Sequence, residues 1–179
     1  SFISTEAQAN TWDSDNEPSN FDSNYNYNFN ALPLIASLAI NKRPWSESYW
    51  PRNKGSINIR LNSPSHEGFD YISPSSTQVM SMTRDQLAQL SPAEKWDILN
   101  SHYDYPTVVS ERSRTKADQV TWAGLCHGWS LDALGFEEPQ SFRIQNPEGI
   151  EFVLRATDIK ALVSLAVAEQ ALNDSLLWG

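Results

Sequence analysis

The chain has one cysteine, Cys126, and three histidines. A lone thiol excludes an internal disulfide and a cysteine-rich zinc site. Positive charge is also scarce. Thirteen Lys and Arg stand against 22 Asp and Glu, for a net charge of −9 and a pI near 4.7. The phosphates of nucleic acid and the surface of an anionic membrane would both be repelled, so neither is expected as a partner. No apolar run approaches the roughly 20 residues of a membrane span. There is no phosphate-binding glycine loop, no His-x-x-x-His pair and no EF-hand calcium loop. No metal or cofactor is therefore expected. Asp13, Asp15 and Glu17 read as a solvated charge run rather than a calcium site. The opening Ser1-Phe2-Ile3 carries neither an initiator Met nor a secretory leader, as expected of a trimmed chain.

What is present suits a folded domain. Of 179 residues 40% are hydrophobic, with seven Trp, six Tyr and seven Phe, enough for one core. Residues 1–31 are polar, acidic and rich in Asn and Ser, and read as an extended arm ahead of a domain over 32–179. Leu32 to Ile40 is expected as a short helix, Ile57 to Leu61 as an alternating strand, and 62–78 as loop. Trp45 to Pro51 is a proline-bounded aromatic loop. Thr83 caps a helix over Arg84 to Leu90. Ser91, Pro92 and Glu94 are an N-cap, a first-turn proline and a capping-box partner. Ser110 to Asp118 is charged and expected to be exposed. Phe142 to Ile144 and Ile150 to Leu154 form a hairpin turning at Asn146-Pro147-Glu148-Gly149. A long helix begins at Asp158, with Ile159, Leu162, Val163, Ala166, Val167 and Ala171 on its apolar face. The fold class is α+β, with helices dominant.

Chemistry concentrates at Trp122-Ala123-Gly124-Leu125-Cys126-His127-Gly128-Trp129-Ser130. Helix is read from Ser130 onward, which places the thiol at a helix N-terminal end. Unpaired N–H groups and the dipole there favour a thiolate nucleophile. An inert, buried small side chain is the competing reading. A base is harder to find. His127 adjoins the cysteine, but side chains of neighbouring helical residues diverge by about 100°, so it is a packing or supporting group. His102 sits at a helix end, and His66 in a Pro- and Ser-rich loop. Oxyanion donors would be the Cys126 backbone N–H, the Trp122 indole or the Gln119 amide. Gln119 lies seven residues before the cysteine, whereas papain-like enzymes place a glutamine about six before it.

Taken in order, Ser48-Tyr49-Trp50-Pro51, Ile57-Asn58, Leu90-Ser91-Pro92-Ala93-Glu94-Lys95-Trp96-Asp97, Trp122-x-Gly124-x-Cys126-His127-Gly128-Trp129 and Asp158-Ile159-Lys160-Ala161-Leu162 resemble the transglutaminase elicitor family. These are secreted enzymes with papain-like cysteine chemistry. The resemblance spans about residues 44 to 165. It implies a protein-glutamine γ-glutamyltransferase that joins protein Gln and Lys side chains through a Cys126 thioester. It also implies a His and an Asp or Asn partner, of which this sequence matches neither. They are expected on a C-terminal polypeptide, with residues 32–179 as the N-terminal portion of a papain-like catalytic domain. Apart from the resemblance, the composition shift near Leu32 points to residues 1–31 as an inhibitory or removable arm, a pro-segment. The apolar ending Leu176-Leu177-Trp178-Gly179 is read as a cut made during zymogen processing. Alternatives are a cysteine protease or amidase, and a noncatalytic binding or elicitor module recognised through loops such as Trp45–Pro51.

Overall fold

The computed structural model describes residues 43–173, together with 24, 28–31, 33, 35 and 37–40. Two units separate: residues 1–38 with 178–179, and residues 39–177. In the first, the described residues include one 3₁₀ turn, Phe29–Ala31, in which Asn28 Oδ1 accepts from the Asn30 N–H at 3.1 Å. Asp13, Asp15, Glu17 and nearly all of the arm lie outside the described residues, as does the apolar ending. Of the helix expected over 32–40, the described residues 33, 35 and 37–39 are not helical. A segment this short has no cap to start it and falls below the length at which a helix holds without packing.

The second unit is α+β. Six α-helices occur among its described residues: α1 (Ser76–Ser81), α2 (Arg84–Ala88), α3 (Pro92–Leu99), α4 (Pro106–Arg114), α5 (Cys126–Gly135) and α6 (Ala156–Asn173). Strands β1 (Phe142–Gln145) and β2 (Glu151–Leu154) pair antiparallel, with Phe142 opposite Leu154 and Gln145 opposite Glu151. The expected hairpin is present, and its turn has a physical anchor. Asn146 Oδ1 accepts from the Glu148 and Ile150 N–H groups, while Asn146 Nδ2 donates to Ile98 O at the end of α3. Gly149 supplies the positive φ the turn requires, +87°. Phe152 and Leu154 point from β2 into a core with Trp50, Ile57, Val79, Leu87, Ile98, Val108 and Ala161. The outer edge of β1 has no strand partner among the described residues.

Capping starts three of the helices. Ser75 with Gln78, Thr83 with Gln86 and Ser91 with Glu94 all form reciprocal capping boxes, each worth about 1 kcal/mol at the N-cap. The first of these corrects the loop expected over 62–78, where α1 occupies Ser76–Ser81. The α4 start differs. Tyr105 is left-handed at φ 54°, Pro106 begins the helix, and the buried carboxylate of Asp97 accepts from the Thr107 and Val108 N–H groups. Burial raises the Asp97 pKa, and those donors oppose the rise.

Three further expectations are corrected. Ile57–Leu61 is not a strand. Gly55, at φ 100°, opens a 3₁₀ turn over Ser56–Asn58 that buries Ile57 and Asn58 together, and Asn58 Nδ2 donates to Val108 O. Two consecutive buried side chains break the alternation a strand needs. The charged stretch 110–118 is exposed only in part: Glu111 and Thr115 are buried, and Arg114 pairs with both Glu111 and Glu169. The deepest face of α6 carries Asp158, Lys160, Ala161, Ser164 and Ala168, whereas Ala166 is exposed. Small and polar residues face inward there because α5 crosses closely, as described below. The Ala171 side chain lies outside the described residues.

Candidate functional site

Cys126 is exposed and is the first residue of α5. The helix therefore begins four residues earlier than the sequence pattern indicates. Leu125 precedes it without any side-chain cap, so the opening N–H groups of α5 are left to water or to a bound group. The Cys126 backbone N–H is one of them.

Two glycines of the cysteine motif are explained by close approaches. A Cβ on Gly124 would lie 2.3 Å from Tyr49 O. A Cβ on Gly128 would lie 2.0 Å from Ser164 O on α6. The first lets the loop before the thiol press against residues 49–50; the second lets α5 and α6 cross backbone to backbone. The segment from Trp45 to Arg52 then runs beside the cysteine loop and helix. Leu125 N–H donates to Tyr49 O at 2.7 Å, Arg52 N–H to Ala123 O at 2.9 Å, and Tyr49 Oη to Thr121 O at 3.0 Å. At the far end Trp129 Nε1 donates to Trp45 O, and Trp45 Nε1 to Phe136 O. Lys160 on α6 holds the same segment, donating to Ser46 O at 2.9 Å while its ammonium sits 5.1 Å over the Trp45 ring. Trp45 and Trp50 are buried. The Trp45–Pro51 segment is thus a brace for α5 that buries Trp45 and Trp50 while Ser46, Ser48 and Tyr49 stay exposed.

The other candidates occupy distinct places. Trp122 is 78% exposed, and its indole makes no hydrogen bond among the described residues. Gln119 Nε2 donates to Arg114 O, and Gln119 Oε1 accepts from the Lys116 N–H, so this amide closes the turn after α4. His127 is exposed beside the thiol, His102 is exposed at the end of α3, and His66 is exposed in a turn at φ 51°. None of the three hydrogen-bonds to Cys126. Among the described residues no three His, Cys, Asp or Glu side chains converge to hold a metal ion. None of the described helices is long and apolar enough to cross a membrane.

Sequence reasoning passed over two groups. Asp132, two turns along α5 from Cys126, is fully buried, and neither carboxylate oxygen makes a well-formed hydrogen bond. Burial pushes its pKa up to about 6, offset only in part by the neighbouring Ser164 hydroxyl. Its signal was a charged residue on the face of α5 that also carries Gly128. The second is the set of long-range partners of the polar residues in Ser91–Asp97, which the sequence showed only as a cap and a family segment. Lys95 Nζ bonds Asp158 Oδ2 at 2.7 Å with both side chains buried, and burial lowers the Lys95 pKa against the pull of Asp158. Arg60 grips Glu94 with two hydrogen bonds, 2.9 and 2.5 Å, and lies 4.0 Å over the Tyr71 ring. The separate sequence segments thus meet in pairs: 48–51 against the cysteine loop, and 91–97 against the start of α6.

These features define an α+β domain that presents one exposed thiol at the uncapped start of a braced helix. A family model described as Transglutaminase elicitor matches residues 16–174, and the chain belongs to that family. No curated protein and no solved structure matches it.

Proposed function

We propose that the chain is the Cys126-bearing part of a secreted protein-glutamine γ-glutamyltransferase. The observation that carries this reading is an exposed thiol at the first position of α5 in a member of this family. Cys126 attacks the side-chain carbonyl carbon of a protein-bound Gln. The tetrahedral oxyanion is met by N–H groups at the start of α5, and the carbon–nitrogen bond breaks to release ammonia and leave a thioester. A Lys amine then attacks the thioester, the thiol departs with the proton, and an isopeptide cross-link remains.

A base is needed to take the thiol proton, and the three histidines of this chain are not bonded to Cys126. The reading therefore assigns the His and the acidic partner of a papain-like arrangement to a C-terminal polypeptide, separated in zymogen processing and retained against this one. The unpaired edge of β1 suits a sheet that further strands complete. Residues 1–31 serve as the pro-segment, so their deletion is expected to raise activity.

The test is incorporation of a fluorescent primary amine into a Gln-bearing protein by the full-length protein. Incorporation that Cys126→Ala abolishes is expected. Conversion of the Gln to Glu with release of ammonia, or cleavage of a peptide bond, without amine incorporation would make the protein an amidase or a protease instead. The elicitor reading is favoured by the family description and by exposed Val120 and Trp122 beside the thiol; it predicts receptor binding that Cys126→Ala leaves intact and no amine incorporation at all. Native mass spectrometry checks the companion: a co-purifying polypeptide is expected, and a lone 20.2 kDa species would count against the two-chain form.

A further inference from the structure

The brace beside the thiol contains a left-handed backbone conformation at a buried core residue. Trp50 has φ 48°, in the left-handed region that bulky side chains avoid, and its buried Nε1 has no hydrogen-bond partner. Such a residue persists only where its surroundings hold it. Trp50 N–H donates to Ser48 Oγ, and Pro51 follows. The consequence lies at the cysteine loop. Tyr49 O and Trp50 O both turn toward Gly124, where an added Cβ would lie 2.3 and 3.3 Å from them. Tyr49 O takes the Leu125 N–H, one residue before the thiol, and Tyr49 Oη reaches along the loop to Thr121 O. One residue thus fixes the loop at two points four residues apart, on the side chain and on the main chain.

From this we propose that Tyr49 is a positioning residue for Cys126. Its strained turn and its hydroxyl set where the loop 121–125 delivers the sulfur relative to the uncapped N–H groups of α5. The inference rests on Cys126 as nucleophile, but its test reads the thiol directly and does not need turnover.

The experiment measures the alkylation rate of Cys126 by iodoacetamide in the full chain, alongside thermal unfolding. Tyr49→Phe removes only the bond to Thr121 O and is expected to slow alkylation about threefold or more, since a thiolate is the form that alkylates and N–H groups at a helix start favour it. Tyr103→Phe is the comparator. It removes another tyrosine hydroxyl bond, to Glu148 Oε2 at 2.6 Å in the hairpin turn, and is expected to alkylate at the wild-type rate. Gly124→Ala, which forces the loop off Tyr49 O, should slow alkylation further. An unchanged rate in Tyr49→Phe overturns the proposal, as does equal slowing in Tyr103→Phe, which would mark general loosening. The expected slowing in Tyr49→Phe and Gly124→Ala, with no amine transfer by the wild-type protein, would instead count against the proposed function and leave the positioning role standing.

Discussion

Two regions of this molecule use polar groups in opposite ways. Around α3, charges are buried and paired: Glu94 with Arg60, Lys95 with Asp158, Asp97 with the start of α4. Around α5, the groups of interest are left open. The thiol is exposed, the helix start has no side-chain cap, and Val120, Trp122, Leu134 and Phe136 face solvent. The cysteine loop is held mostly through main-chain bonds to Tyr49 and Arg52, which leave its side chains free. The contrast separates a region built for stability from one built to present chemistry. Burying charges is costly, and it is tolerated at α3 because each has its partner. The α5 region forgoes such partners and remains available to a substrate.

The comparison can be broken by substitution, starting with the largest effect on stability. Asp158→Ala leaves the Lys95 ammonium buried and unpaired, and should cost about 3–5 kcal/mol in denaturant-induced unfolding. A loss below 1 kcal/mol would mean that water reaches Lys95. Gly128→Ala places a methyl where Ser164 O already lies, and the forced separation of α5 from α6 should cost about 1–3 kcal/mol. Asp132→Asn tests the buried carboxylate of α5. Its folded pKa, about 6, lies above the ordinary aspartate value of 3.8. The folded state therefore holds the proton more tightly, and this group favours folding most at low pH. That contribution is lost as pH rises through 3.8 to about 6 and stays lost above it. Asp132→Asn should remove this slope and raise stability at neutral pH by an amount on the order of 1 kcal/mol. Unfolding curves of both proteins across pH 4 to 7 that stay parallel would contradict the assignment. Cys126→Ser should change stability least, within about 0.5 kcal/mol, because the thiol is exposed and unbonded; a larger loss would make the cysteine structural.

Much of the α3 region could be read locally. A capping box is a three-residue relation, so Ser91, Pro92 and Glu94 announced α3, and Asn146 to Gly149 announced the hairpin turn. What those local signals could not convey was tertiary use. Glu94 is both capping residue and partner of Arg60, and Lys95 finds Asp158 63 residues away. The same limit explains the α6 face. A hydropathy pattern places Leu162 and Val163 inward, yet the close crossing at Gly128 selects Ser164 and Ala168 for the interface. The strand expected at Ile57 to Leu61 failed because Asn58, polar by type, is drawn inward by Val108 O. For the site, Cys126 at a helix start was legible, and the family resemblance agrees with the family model matched over residues 16–174. The brace was not, because Tyr49 reaches Thr121 across 72 residues. Gln119 was an oxyanion candidate at a spacing one residue off the papain-like pattern, and its amide is bonded to Arg114 O.

The central claim is that Cys126 carries an acyl group taken from glutamine. Its most direct measurement is the intact mass of the full-length protein after acid quench from a glutamine peptide, with no amine acceptor present. The account predicts an adduct equal to the peptide less ammonia, located on Cys126 and absent from Cys126→Ala. No adduct under conditions where the thiol still alkylates, or an adduct that survives Cys126→Ala, would contradict it.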